Sequence, residues 1–195
     1  MKRILSAALA IGTMAGGIVA GGLAVASPAN AQSATVADVS LWTWSQRAAT
    51  FSQGCVYDVV IKSSANGLYV STELQQSLPR TNMLRARAGI AGSWEHYTLC
   101  RDAINGFDYI FSPAANRYVS AELGYGGSLY GMLRARQVEV GPWEKFVVDC
   151  LNPSQCFIYS LANNNFVSAE IQYAGTDNGM LRARQPQYGA WETFI

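Results

Sequence analysis

The chain is short of the residues that carry out chemistry. A single histidine, His96, stands among 195 residues, so nucleophilic mechanisms that need an imidazole base have almost nothing to draw on. Charged residues make up only 14% of the chain, too few and too scattered for a polyanion-binding field. No Cys-x-x-Cys pair and no cluster of His, Cys, Asp and Glu at ligand spacing occurs, which excludes a structural zinc site and leaves no metal expected. No Gly-rich loop of the phosphate-cradling kind is present, and no cofactor is expected. What the chain has in quantity is apolar and aromatic: 50% hydrophobic and 11% Phe, Trp and Tyr, the composition of a globular domain.

The N-terminus has the layout of a secretory signal. Lys2 and Arg3 lead into a small, apolar run from Ile4 to about Ala26, and Ala29-Asn30-Ala31 supplies a small-x-small cleavage site. The run is just long enough for a membrane-spanning anchor, the alternative, but its Gly and Ala content and the small-x-small site favour a cleaved signal. Residues 1–31 are therefore expected to be removed before Gln32, leaving a secreted, extracellular chain with no membrane attachment. That cut takes two of the 14 basic residues and none of the 13 acidic ones, so the formal net charge becomes −1. Nucleic acid is not an expected partner on this balance. Export also places Cys55, Cys100, Cys150 and Cys156 where disulfides persist, and an even number favours two bridges.

Self-comparison reveals a threefold repeat. Residues 69–97 recur from Tyr118 at an offset of 49 and from Phe166 at a further 48, with no gap inside any copy. The shared pattern is aromatic-Val-Ser-Ala-Glu, about nine variable residues, Met-Leu-Arg-Ala-Arg, four variable residues, then Gly-x-Trp-Glu-x-aromatic. Before each copy lies a short run rich in β-branched or aromatic residues, Val59-Val60-Ile61, Tyr109-Ile110-Phe111 and Phe157-Ile158-Tyr159, that reads as a strand. Tyr-Val-Ser, Met-Leu-Arg-Ala-Arg and Trp-Glu-x-aromatic read as further short strands, with Gly- and Asn-rich joints between them. Four strands per copy make about twelve.

Three units of this kind bury one core only if they close on each other. A propeller normally has at least four blades, and a linear stack needs atypical polar ends. The pattern therefore predicts an all-β chain, a β-trefoil with pseudo-threefold symmetry spanning residues 55–195, its repeats at about 56–100, 105–149 and 154–195. In such a unit the first and fourth strands lie antiparallel, which brings Cys55 to Cys100; Cys150 and Cys156 bracket the turn at Asn152-Pro153. Residues 32–54 match no repeat, but Leu41-Trp42-Thr43-Trp44 and Phe51 are too apolar for a free tail, so part of this arm is expected to pack on the trefoil.

The motifs Tyr-Val-Ser-Ala-Glu at 118–122, Met-Leu-Arg-Ala-Arg at 132–136 and Gly-Pro-Trp-Glu-x-Phe at 141–146 resemble the fascin-like repeat, and all three copies share the likeness. The resemblance implies a β-trefoil. It also implies one of two roles: actin crosslinking, as in eukaryotic fascins that string several trefoils together, or the carbohydrate binding usually supposed for exported bacterial fascin-like modules. This chain has one trefoil and a signal segment, which favours the second. The Gln-x-Trp repeat of lectin-type trefoils is absent; glycines stand two before Trp94, Trp143 and Trp191.

Each candidate functional residue has a structural alternative. Arg85 and Arg87, with their counterparts Arg134 and Arg136, and Arg182 and Arg184, share one strand face, opposite Leu84 and Ala86 in the first copy. Such forks match anionic sugars or phosphates. Glu73, Glu122 and Glu170, and Glu95, Glu144 and Glu192, recur in step with them and offer internal partners, which threefold repetition favours. Trp94, Trp143 and Trp191, with Tyr97, Phe146 and Phe194, are expected in the core. The variable loops are the expected recognition elements: Tyr125, Tyr130 and Tyr173 as stacking rings for sugar faces, Asp177 and Asn178 as hydroxyl ligands. Enzymatic activity is not expected. Glycoside hydrolysis needs two carboxyl groups in different environments, and every strongly placed carboxylate here is triplicated. His96 is expected on a strand, facing solvent. The function expected is thus non-enzymatic carbohydrate binding by a monomer, with a protein partner, actin included, as the alternative.

Overall fold

A computed structural model describes residues 39–49 and 53–195; the expected signal segment 1–31 and Phe51 lie outside the described residues. The first copy comprises β2 (Gln53–Val60), β3 (Tyr69–Glu73), β4 (Met83–Ala88) and β5 (His96–Asp102). The second comprises β6 (Phe107–Ser112), β7 (Arg117–Glu122), β8 (Met132–Gln137) and β9 (Phe146–Asn152). The third has β10 (Gln155–Ser160), β11 (Asn165–Glu170) and β12 (Met180–Gln185), and its fourth position is held by bridges at Phe194. With β1 (Val39–Ser40), which pairs in parallel with Val59 and Val60, the strands among the described residues number twelve.

Alternation makes the barrel. Along β6, Phe107, Tyr109 and Phe111 are half-buried while Asp108, Ile110 and Ser112 are buried, so one face lines the interior and the other looks out. β2 pairs with β5, β5 with β6, β6 with β9 and β9 with β10, all antiparallel. The ring then closes through Phe194, whose N–H donates to the Cys156 carbonyl at 2.9 Å, and through Ile195, whose N–H donates to the Lys62 carbonyl at 2.9 Å. The hairpins β3–β4, β7–β8 and β11–β12 cap one end, each with a bulge at its aromatic residue: Tyr69, Tyr118 or Phe166. Their second strands meet around the pseudo-threefold axis, Met83 opposite Arg134, Arg182 opposite Met132 and Met180 opposite Arg85. A closed six-membered barrel with a three-hairpin cap is a β-trefoil.

The interior is layered by symmetry. Ile61, Ile110 and Ile158, then Leu84, Leu133 and Leu181, then Tyr97, Phe146 and Phe194 occupy equivalent places, none more than 1% exposed. Burial of each contributes about 1.5–3 kcal/mol. One departure is compensated. Where the other copies have Phe146 and Phe194, the first has Tyr97, and it has Thr72 where they have Ala121 and Ala169. The Thr72 hydroxyl lies 3.2 Å from the Tyr97 hydroxyl and 2.8 Å from that of Ser112, and Tyr97 also donates to the Val70 carbonyl at 3.2 Å. Complete burial pushes the Tyr97 pKa strongly upward, so the phenol stays neutral.

One element is left open by the sequence and one differs from expectation. The arm, for which the sequence predicts packing but no particular element, contains a helix, α1 (Leu41–Ala48). Leu41, Trp44 and Ala48 recur at helical spacing, and all three are buried in the main core with Val56, Leu99, Val148 and Ile158. Arg101, ion-paired to buried Asp108, lies 5.5 Å from the Trp44 ring. The Trp-Glu segments are not strands: Pro142–Glu144 and Ala190–Glu192 are 3-10 turns, and residues 93–95 form the equivalent turn. Consequently Trp94, Trp143 and Trp191 are half-buried outside the core, and the glutamates beside them turn inward. Glu95, Glu144 and Glu192 accept short hydrogen bonds from the hydroxyls of Ser71, Ser120 and Ser168. They also accept the N–H of Gly92, Gly141 and Gly189 at 2.7, 2.8 and 2.8 Å. The carboxylate needs those donors and the indole does not, so Glu takes the interior position.

Disulfides join Cys55 to Cys100 and Cys150 to Cys156. Such pairing belongs to an oxidising, extracellular type of environment. Among the described residues no helix is long and apolar enough to cross a membrane.

Candidate functional site

The six repeated arginines are internal struts. Arg87, Arg136 and Arg184 form ion pairs with Glu73, Glu122 and Glu170. Their partners Arg85, Arg134 and Arg182 reach across to the neighbouring copy, donating from Nε to the carbonyls of Asn178 (2.6 Å), Thr81 (2.7 Å) and Tyr130 (2.9 Å). These contacts run in a cycle, copy one to three, two to one and three to two, and so lock the cap. Desolvation raises the Glu122 carboxyl above its ordinary range against the opposing pull of Arg136 and Arg134. These guanidiniums are engaged by the framework, although Arg87 keeps 41% of its side chain exposed.

Most of the loop residues singled out above are engaged by the same framework. Tyr125 and Tyr173 are half-buried rather than exposed, packed on the cluster of Met83, Met132 and Met180 at the axis. Their hydroxyls accept from Arg134 at 3.3 Å and, through a short contact, from Arg182. Asp177 is clamped by Arg80 at 2.5 and 2.8 Å, and that hydrogen bond holds its carboxyl below the ordinary range. Asn178 donates to the carbonyls of Ile171 and Tyr173, closing its own loop. Tyr130 alone of the five is exposed, at 38%. The five therefore do not converge on one open site. His96 also differs from expectation: it is half-buried at the start of β5, beside Asp58, Ser93 and Pro113.

An open aromatic groove lies elsewhere, on the outer barrel wall where copy two meets copy three. β9 contributes Asp149 and Leu151, β10 contributes Phe157 and Tyr159, β11 contributes Phe166, and the loop after β12 contributes Tyr188. The cavity measures about 300 Å³. Register explains the grouping: Asp149 pairs with Phe157 and Tyr159 with Phe166, so side chains from three adjacent strands share one face. Tyr188 lies 4.2 Å from Phe157 and 5.6 Å from Phe166, centroid to centroid, and Tyr159 lies 4.9 Å from Phe166. Tyr188 stays 51% exposed and Leu151 61% exposed. Phe157 itself is only 6% exposed, covered by Tyr188, so the arrangement offers the rings of Tyr188, Tyr159 and Phe166, phenol hydroxyls and one carboxylate at its edge.

Sequence reasoning passed over this groove. In the sequence Phe157 and Tyr159 read only as strand formers, although their period-two spacing puts both on one face. Tyr188 sits in a variable stretch where the other copies carry Ala91 and Val140. An aromatic unique to one copy was the available signal.

No protein-family model matches the chain, and no curated protein matches it. Among solved structures, a designed threefold-symmetric protein, ThreeFoil, superposes with a TM-score of 0.55 at 10% identity, over 71% of this chain and 94% of that one. A mosquitocidal holotoxin superposes with a TM-score of 0.58 at 7% identity, over 74% of this chain. The match spans 17% of the toxin's length. At these identities the likeness bears on architecture alone, and with the closed barrel and cap it establishes the fold: the chain is a β-trefoil.

Proposed function

We propose that this protein is an exported, non-enzymatic module that binds carbohydrate through the aromatic groove between β9, β10 and β11. The observation that carries the reading is the Phe157–Tyr159–Phe166–Tyr188 cluster, half-open beside Asp149. A pyranose presents C–H groups on its faces and hydroxyls around its edge; aromatic faces match the first, and phenol and carboxylate oxygens match the second. The two disulfides support export, and the resemblance to exported fascin-like modules points to the same ligand class. Actin crosslinking, the alternative, calls for two filament sites on one molecule, and no observation favours it here.

Binding without turnover is supported by the carboxylates. Asp149 is the one carboxylate lining the groove, whereas hydrolysis of a glycoside ordinarily calls for two, about 5–9.5 Å apart. The buried ones are committed to Ser, Gly and Arg partners.

The test is retention of residues 32–195 on insoluble cellulose, chitin and xylan, compared with Tyr188→Ala. Because Tyr188 is half-exposed, its truncation leaves the fold intact. Retention should fall at least tenfold on whichever polymer binds. Failure to bind any of them, or equal retention by the variant, would refute the groove as a carbohydrate site.

A further inference from the structure

A second aromatic face occupies the pseudo-equivalent position one copy earlier, where β5 and β6 meet. Tyr109, Phe111 and Tyr118 stand where Phe157, Tyr159 and Phe166 stand in copy three. Their rings form a connected surface: Tyr109 lies 5.7 Å from Tyr118, Phe111 lies 5.1 Å from Tyr118, and Phe107 extends the row at 6.3 Å from Tyr109. All four are half-buried on the outward face of their strands.

The rim of this face is also built. Tyr57, on β2 beside β5, is 66% exposed. Cys55 and Cys100, bridged, tie β2 to β5, and Cys100 pairs with Tyr109, so a covalent cross-strand link lies beside that ring in the register. Asp102, paired with Phe107, supplies a carboxylate at the edge, where it accepts from Asn105 at 2.7 Å. Lys145 lies 4.5 Å from the Phe107 ring. Partial burial, with Tyr118, Asp102 and Tyr57 nearby, raises the Tyr109 hydroxyl above its ordinary pKa and keeps it a neutral donor.

The third equivalent position is different in kind. Val60 and Lys62 replace the two strand aromatics, and the Lys62 ammonium sits 5.1 Å from the centre of the remaining ring, Tyr69. With two of the three rings replaced, this position has no connected aromatic surface.

We infer that the face built from Tyr57, Tyr109, Phe111 and Tyr118 is a second saccharide site, so that one chain holds two sugar segments, not one or three. The inference rests on the carbohydrate reading of the groove at Tyr188. Phenol hydroxyls and a carboxylate edging a row of rings fit a polyhydroxylated ligand. Two sites on different walls of one barrel would engage separate strands of a polymer at once, and avidity follows from that geometry.

The experiment is calorimetric titration of residues 32–195 with cellohexaose, chitohexaose and xylohexaose, using Tyr57→Ala, Tyr188→Ala and the double variant. Both side chains are solvent-exposed, so neither truncation threatens folding, and circular dichroism verifies this. The expected stoichiometry is two for the wild type, one for either single variant and none for the double. Retention on the insoluble polymer should fall on the order of 10² in either single variant. A wild-type stoichiometry of one, lost in Tyr188→Ala and unchanged in Tyr57→Ala, overturns the second site while leaving the first standing. One site lost only in Tyr57→Ala sinks the groove at Tyr188 and overturns the two-site count, leaving this face as a single site. No binding by the wild type overturns both.

Discussion

Replacing Gly131 by alanine probes the contact that holds the three copies together. Gly131 has φ +76° and Gly179 has φ +81°, a left-handed conformation that costs an L-residue roughly 1–2 kcal/mol. A Cβ at either position would meet a backbone carbonyl oxygen, of Ala183 or Ala86 respectively, at 2.4 Å. The neighbouring strand would have to shift. It is held there by the Ala183 N–H, which donates to the Gly131 carbonyl at 2.8 Å, and by the equivalent Ala86 bond to Gly179. Weakening that bond removes about another 1 kcal/mol. Gly131→Ala should therefore destabilise the protein by about 2–4 kcal/mol, lowering the melting temperature by about 5–15 °C for a domain of this size. The first copy supplies a built-in control. Asn82 occupies the same place with φ +62°, and its side-chain amide donates to the Ala135 carbonyl at 3.1 Å. Gly131→Asn should consequently lose about half as much as Gly131→Ala. Gly126→Ala, in open space at φ −103°, should change stability by less than about 0.5 kcal/mol. Thermal unfolding followed by circular dichroism reads all three. A Gly131→Ala protein that melts within about 2 °C of wild type, or below which the Asn variant melts, would refute the reasoning.

Three further outcomes follow from the same contacts. Tyr97→Phe and Thr72→Ala should each cost about 1 kcal/mol, while the double variant, which makes copy one resemble its siblings, should cost less than their sum; urea unfolding of the cycle measures the coupling. Removing the Cys55–Cys100 bridge, which spans 45 residues, should cost about 4 kcal/mol against about 2 for the six-residue Cys150–Cys156 loop, and Cys→Ser pairs compared by denaturant midpoint check the order. Arg80 depresses the Asp177 pKa below its ordinary 3.8, so that ion pair stabilises the fold above this value and is lost as pH falls through the lower folded-state pKa. Asp177→Asn should be less stable than wild type by about 1 kcal/mol at pH 7, with the gap closing in acid melts below about pH 3.8.

What residues alone determined is whatever depends on periodicity. The 48- and 49-residue offsets, the two-residue alternation that points Leu84 and Ala86 inward, and the positions of the four cysteines are linear properties, and closure into a threefold barrel follows from them. Tertiary structure decided everything that depends on what covers a side chain. Trp143 and Glu144 are adjacent, yet the tryptophan lies outside the core and the charged residue inside, because donors from Ser120 and Gly141 converge there from distant segments. Tyr125 and Tyr173 look like free loop aromatics until Arg134, Arg182 and the methionine cluster are placed against them. The groove at Tyr188 exists only because register aligns three strands and a loop on one wall. The α1 helix was equally hidden: eight residues are too few to be helical on their own account, and burial of Leu41, Trp44 and Ala48 against the barrel stabilises them. Alternation is written along the chain, but exposure is a relation between segments that meet only after the barrel has closed.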